Sequence, residues 1–146
     1  MAVQIDLVLA PVDNSETSRE AAEYATAVAE RYGADLHLLY VLDERVMQGL
    51  DADDLSPDTV AAEQRSFTGS IRRALPSTVG LSQSSVVGFS PDRLTQTPGS
   101  VILDAADELD ADFLVVPRDK SRRPDAVLSK AAFHVLEYAS QPVLSV

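Results

Sequence analysis

LVLAPVDNSETSREAAEYATAVAERYGADLHLLYVLDE, residues 7–44, carries one complete strand–helix–strand unit. The apolar run from Val3 to Ala10 is rich in β-branched residues and gives way to Pro11 and the polar Asp13-Asn14-Ser15. That pattern predicts a buried strand followed by a helix start, with Ser15 and Ser18 as N-cap candidates. Ala21, Ala25, Val28 and Tyr32 then recur at helical spacing, and Ala22 and Ala29 widen the stripe. Gly33 stands where a left-handed residue ends a helix. Leu36–Leu42 (LHLLYVL) is the second strand.

The rest of the chain repeats this alternation. Residues 43–56 are acidic, with Asp43, Glu44, Asp51, Asp53 and Asp54, and read as irregular. Ser56-Pro57-Asp58 opens a helix with Pro at N1 and an acid in the first turn. Val60, Phe67, Ile71 and Leu75 form its apolar face, and Pro76 stops it. Leu81–Phe89 is a third, more polar strand, and Ser90–Gly99 a turn-rich loop. Val101, Ile102, Ala105, Ala106 and Leu109 make the next helix, and Asp112–Val116 the fourth strand. A charged loop at 117–125 leads to a helix carrying Leu128, Ala131, Ala132, Val135, Leu136 and Ala139. Pro142–Val146 is the last strand. The order β-α-β-α-β-α-β-α-β predicts an α/β fold: a single doubly wound, Rossmann-like, five-stranded parallel sheet with helices on both faces and strand order 3-2-1-4-5. Such sheets bind ligands at the carboxyl ends of the strands where the winding reverses. Here that point lies between strands one and four, near Asp13 and near Pro117–Arg123.

Composition narrows the function. The 146 residues suit one domain, 1–146, and are 45% hydrophobic and 24% charged, enough for a real core. A net charge of -11 argues against nucleic acid or an anionic membrane as partner. Zero Cys excludes disulfides, thiol nucleophiles and thiolate metal sites. The two His residues are far apart, which makes a histidine metal site unexpected. No apolar run approaches ~18 residues, and the N-terminus lacks a basic region and holds Asp6, so neither a membrane span nor a signal peptide is expected. The expected location is cytoplasmic. The acidity comes from 15 Asp and 8 Glu, set against 10 Arg and only 2 Lys. An ordinary acidic surface accounts for this, and so does a halophilic cytosol in which carboxylates are screened and hydrated.

Other one-domain folds share the element order, so the site must discriminate. A receiver domain needs an acceptor Asp after strand three, where this chain has Gly88-Phe89. A flavodoxin needs a hydroxyl-rich phosphate loop after strand one, where this chain opens with Asp13. Residues 7–44 instead resemble the universal stress protein family, UspA-like domains whose first strand ends in Pro-Val-Asp-Gly-Ser and whose first helix ends in Tyr-Gly-Ala-Asp. VILDAADELDADFLVV (Val101–Val116) and AAFHVLEYASQPVLSV (Ala131–Val146) are similar to the family's later elements. Residues 43–80 match only in character, and the Ser90–Gly99 loop is longer than usual.

The resemblance implies a test. ATP-binding members carry Gly-x-x-Gly, nine residues, then Gly-Ser or Gly-Thr after the fourth strand. Glycines let phosphates approach backbone N–H groups, and the last pair sits at a helix N-terminus. This chain has no glycine after Gly99. Counted from the strand, the first two glycines fall on Pro117 and Lys120. Counted back from Pro142, they fall on Val116 and Asp119, and the final pair on Ser129-Lys130. What survives is Asp13, at the adenine end of the family's site, and Val41, which touches the base through its backbone in the family. Arg118, Lys120, Arg122, Arg123 and Lys130 form a basic patch able to bond an anion by side chain, or simply a solvated loop.

Two readings follow. One is a stress-response binding or regulatory module with no cofactor and no catalysis. The other is an AMP or ATP binder using Asp13, Val41, Pro117, Arg118, Lys120, Ser129 and Lys130. ATP hydrolysis is not expected. His37, alternating with Leu36 and Leu38, reads as a strand-surface residue. Asp51–Asp54 lacks the spacing of a calcium loop. The resemblance also implies a homodimer through the last strand, with Pro142, Val143, Leu144 and Val146 at the contact.

Overall fold

The computed structural model describes residues 3–88, 97–118 and 127–146, without the side chains of Val127, Ser129 and Lys130. Strand β1 (Leu7–Val12) runs parallel to β2 (Asp35–Leu42), with Leu7 opposite Asp35 and Val12 opposite Tyr40. The strand thus begins later than the predicted Val3, which is 76% exposed, and runs on through Pro11. β3 (Leu81–Val87) flanks β2, while β4 (Phe113–Val116) and β5 (Val143–Ser145) extend the sheet beyond β1. All four pairings are parallel and the order is β3-β2-β1-β4-β5, the doubly wound arrangement expected.

Helix α1 (Glu16–Tyr32) starts where Ser15 accepts the Ser18 N–H at 3.1 Å and ends at Gly33, whose φ of 66° places it in the left-handed region. Its buried residues are Ser18 and four alanines, so its backbone lies close on the sheet. Tyr32, placed on that stripe by spacing, is instead 53% exposed at the helix end.

Residues 43–56 are not irregular throughout. Helix α2 (Glu44–Asp51) forms there, capped by Asp43 accepting the Val46 N–H at 2.9 Å. No residue of α2 is fully buried, which is why a density of charge hid it. Helix α3 (Pro57–Ala74) begins at Ser56-Pro57 as read and buries Phe67, Thr68 and Ile71. Helix α4 (Pro98–Glu108) starts ahead of Val101, because Thr97 and Ser100 form a reciprocal capping box. Gly99 therefore belongs to the helix and not to the preceding loop. Helix α5 (Val127–Tyr138) buries Leu128, Ala131, Ala132 and Val135, but leaves Leu136 46% exposed.

Alternation along the strands divides the core in two. Val8, Ala10, Leu36, Leu38 and Tyr40 pack with α1 and with Phe67 and Ile71 of α3. Leu9, Leu39, Val41, Leu114 and Val116 pack with Ile102 of α4 and Leu128 and Val135 of α5.

His37 corrects the sequence reading, since it is 5% exposed and not a surface residue. Its Nδ1 lies 2.7 Å from the Ser82 hydroxyl and its Nε2 2.8 Å from the Ser84 hydroxyl, so two strand neighbours satisfy both ring nitrogens. Burial lowers its pKa below 6.5. The folded state therefore holds fewer protons on this ring than the unfolded chain. The resulting stability is present above the unfolded value and is lost as pH falls below it. Denaturant titrations from pH 7.5 to 5 are expected to show this loss, and His37→Gln is expected to flatten it. An unchanged slope in the variant refutes the assignment.

Candidate functional site

The site begins with a proline. Asp35 N–H donates to the Asp6 carbonyl at 2.9 Å, which directs the even-numbered residues of β1 toward β2 and the odd-numbered ones toward β4. Pro11 therefore faces β4, where it has no N–H to give. The β1–β4 register runs over only Val8↔Phe113 and Leu9↔Leu114. Beyond it the two chains leave for opposite faces of the sheet, which is the crevice at the switch point.

One wall follows β1. Asp13 is half-buried there, and its backbone N–H donates to Ser18 Oγ at 3.3 Å. Asp13 Oδ1 accepts the Ser15 N–H at 3.1 Å, an Asx turn that steers the chain into α1. The intervening Asn14 has φ 67°, a conformation Asn tolerates and Gly favours. The carboxylate thus shapes the helix entry, while Ser15 is the cap. Val41 lies on β2, one residue past the last β1 pair. Its side chain is 3% exposed and packed in the core, and no β1 residue stands opposite its backbone.

The other wall follows β4. Pro117 is buried and also lacks an N–H. The Arg118 N–H is taken by the Val146 carbonyl at 2.7 Å, and Val146 N–H returns a bond to Val116 at 3.0 Å. The Arg118 side chain is exposed. Lys120, Asp119, Arg122 and Arg123 lie outside the described residues, as does most of the Ser90–Gly99 loop. Ser129 and Lys130 fall in the first turn of α5.

Asp13 and the Pro117–Arg118 step are thus brought to one crevice, with Val41 on the neighbouring strand. Among the described residues the crevice walls are poor in free main-chain donors, of which the sequence reading saw only the missing N–H of Pro117 and not the state of the β1 wall. Pro11 and Pro117 have none, and those of Asp13, Ser15 and Arg118 are used within the chain. The signal was present in Pro11, but its meaning depends on register. Among the described residues, no His/Asp/Glu group is arranged to hold a metal, and no helix is long and apolar enough to cross a membrane.

A five-stranded domain of order β3-β2-β1-β4-β5 with its switch point between β1 and β4 defines the doubly wound α/β class, and comparison resolves it further. The Universal stress protein family matches residues 5–146, and the chain belongs to that family. It is 26% identical over 143 residues to Universal stress protein MJ0531 of Methanocaldococcus jannaschii, covering 95% of this chain and 80% of that protein. Hypothetical protein MJ0577 is similar in fold, with a TM-score of 0.71, 22% identity and coverage of 99% and 96% of the two chains. A universal stress protein solved in complex with cAMP has a TM-score of 0.66 at 21% identity, covering 98% of this chain and 97% of that one.

Proposed function

We propose that this universal stress protein is a cytoplasmic binding and regulatory module, not an enzyme, and that it does not hold ATP in a backbone phosphate cradle. The observation that carries the reading is the state of the crevice donors. A phosphate needs several convergent N–H groups. Here the two positions after β4 offer none, one being proline and the other bonded to Val146. Isothermal titration with millimolar ATP, AMP and inorganic phosphate, at molar and at low KCl, is expected to give no saturable heat. Acid extracts of the purified protein are expected to lack adenine absorbance, and orthophosphate release to stay at background. Saturable heat or bound adenine overturns the reading.

The likeness to a cAMP-bound structure favours a second reading, adenine nucleotide held by Asp13, Val41 and side chains of the basic loop. It replaces backbone donors with Arg118, Lys120, Ser129 and Lys130. The two readings separate in the same titration, since side-chain binding of an anion weakens steeply with salt.

A homodimer through β5 is part of the proposal. β5 is an edge strand of three residues, and Val143, Leu144 and Val146 remain partly exposed beside Pro142. His134 packs over Gly99 of α4, so the flank of α5 turned away from α4 carries Phe133, 81% exposed, and Leu136. Apolar surface beside an open strand edge suits a second copy.

A further inference from the structure

Among the described residues, the opposite edge of the sheet is longer and less guarded. β3 is the outermost strand beyond β2, and its register runs unbroken from Leu81 to Val87. Natural edges are blunted by charge, proline, bulges or shortness. β3 has seven residues, LSQSSVV, and none of these devices. The uncharged run around it, residues 74–91, spans 18 positions and is the longest in the chain.

The strand's polar side chains are turned to its own domain. Ser82 and Ser84 serve His37. Gln83 Oε1 accepts from the Thr68 hydroxyl at 2.6 Å, and the Ser85 hydroxyl donates to Gln64 Oε1 at 3.3 Å. What faces outward is main chain. Leu36 N–H donates to the Gly80 carbonyl and Gly88 N–H to the Leu42 carbonyl, so even-numbered residues of β3 pair with β2. The N–H and C=O groups of Leu81, Gln83 and Ser85 point away from the sheet, and Ser82 to Ser85 are all exposed. Strand addition reads such backbone groups and needs no side-chain code.

Charge selects the occupant. Two copies at -11 each repel wherever their acids meet. A foreign partner chosen for complementarity would use those acids, whereas a copy of the same charge fits where they are sparse, as along β3, which carries none of its own and has Asp35 beside Gly80 at its start. We propose that β3 pairs antiparallel with β3 of a second copy about a two-fold axis at Gln83. Leu81 of one copy then lies opposite Ser85 of the other. The three outward residues become hydrogen-bonded pairs, because such pairs recur at every second residue of an antiparallel ladder. With β5 pairing at the far edge, each subunit has two isologous edges, and assembly proceeds past the dimer.

Four proteins test this by light scattering in molar KCl, with circular dichroism confirming that each is folded. Wild type is expected to exceed a dimer and to grow with concentration. Gln83→Pro removes an outward N–H that the domain does not use, a position where edge strands accept proline. It is expected to leave a dimer joined through β5. Leu144→Asp is expected to leave a dimer joined through β3, and the double variant a monomer. If Gln83→Pro fails to fold, Gln83→Asp sets two carboxylates directly opposite one another at the two-fold and is expected to act alike. Because the chain has no Cys, Gln83→Cys gives an independent arm. A short bis-maleimide is expected to join two copies through it, and not through Ala27→Cys on the exposed face of α1. A monomeric Leu144→Asp protein, a Gln83→Pro protein with wild-type mass, or equal cross-linking at both cysteines overturns the proposal. A Gln83→Pro protein that is already monomeric sinks the β5 pairing and leaves the β3 pairing standing.

Discussion

Truncating Leu9 to alanine is expected to remove about 2–5 kcal/mol of stability, the usual cost of deleting a buried Leu side chain. Leu9 is fully buried, and stands between His37 on β2 and Leu114 on β4 at the last β1–β4 pair. Its side chain meets the α4 and α5 layer, where Leu39, Ile102 and Leu114 are also fully buried. The surrounding strands are tied by their ladders and cannot collapse into the space, so the cavity term adds to the lost transfer energy. Against a typical total of about 5–15 kcal/mol, this is a large fraction. The measurement is a urea titration at molar KCl. The midpoint should fall with the slope unchanged, because the surface exposed on unfolding is nearly the same. Leu109→Ala at the exposed end of α4 is the control, 37% exposed and outside both core layers, expected to cost about 1 kcal/mol or less. Equal effects at the two positions would mean that the layer is not packed around Leu9 as the structure has it.

The contrast between these leucines also marks what a linear reading reaches. Ser15, Gly33 and Ser56-Pro57 announce helix ends through local chemistry, and each is used as read. Strand order follows from the alternation of strands with helices. Facts that depend on register are different. Leu136 and Tyr32 fit a helical stripe by spacing, yet they are 46% and 53% exposed, because Leu136 lies on the flank of α5 turned away from α4 and Tyr32 is the last residue of α1. His37 interrupts an apolar strand, and its burial becomes legible only when Ser82 and Ser84 are set beside it, two residues apart on one face of the neighbouring strand. α2 was hidden because its signal is a cap and a half-buried stripe, Asp43 with Val46, Met47 and Leu50.

The same division holds at the crevice. The missing glycines were plain in the sequence, and they argued against a phosphate cradle from one wall only. The second wall came from Pro11, which reads as a strand end in isolation. Register turns it toward β4, where an N–H would otherwise stand. The bond from Arg118 to Val146 joins two residues 28 positions apart, and no local pattern encodes it. These bonds also tie the crevice wall to β5, so the candidate ligand site and the proposed dimer edge share a strand. A Leu144→Asp change therefore tests assembly while leaving the bonds between Arg118, Val116 and Val146 in the main chain.

Salt is expected to decide whether the protein folds at all. The chain carries -11 on 146 residues, and Asp6, Asp35 and Asp112 each stand at the amino end of a central strand. Asp112 Oδ2 accepts the N–H groups of Asp6 at 2.9 Å and Leu7 at 3.1 Å, and Asp35 Oδ1 accepts that of Gly80 at 3.1 Å. Asp6 sits directly before β1, Asp35 begins β2 and Asp112 directly precedes β4, so the three stand at the same end of the parallel sheet. The screening length is about 3 Å at 1 M salt and about 30 Å at 0.01 M. At 1 M salt each acid interacts only with its nearest neighbours, whereas at 0.01 M it interacts with every other acid on the domain. Circular dichroism is expected to report a folded protein in molar KCl and an unfolded one near 0.01 M, with recovery when salt is restored. Asp112→Asn retains an acceptor oxygen for Asp6 and Leu7 while removing the charge. It is expected to move the salt midpoint downward, and a shift the other way would show that the carboxylate's bonds outweigh its repulsion. A thermal midpoint that is the same at both salt concentrations would refute the halophilic reading and leave the acidity as an ordinary solvated surface.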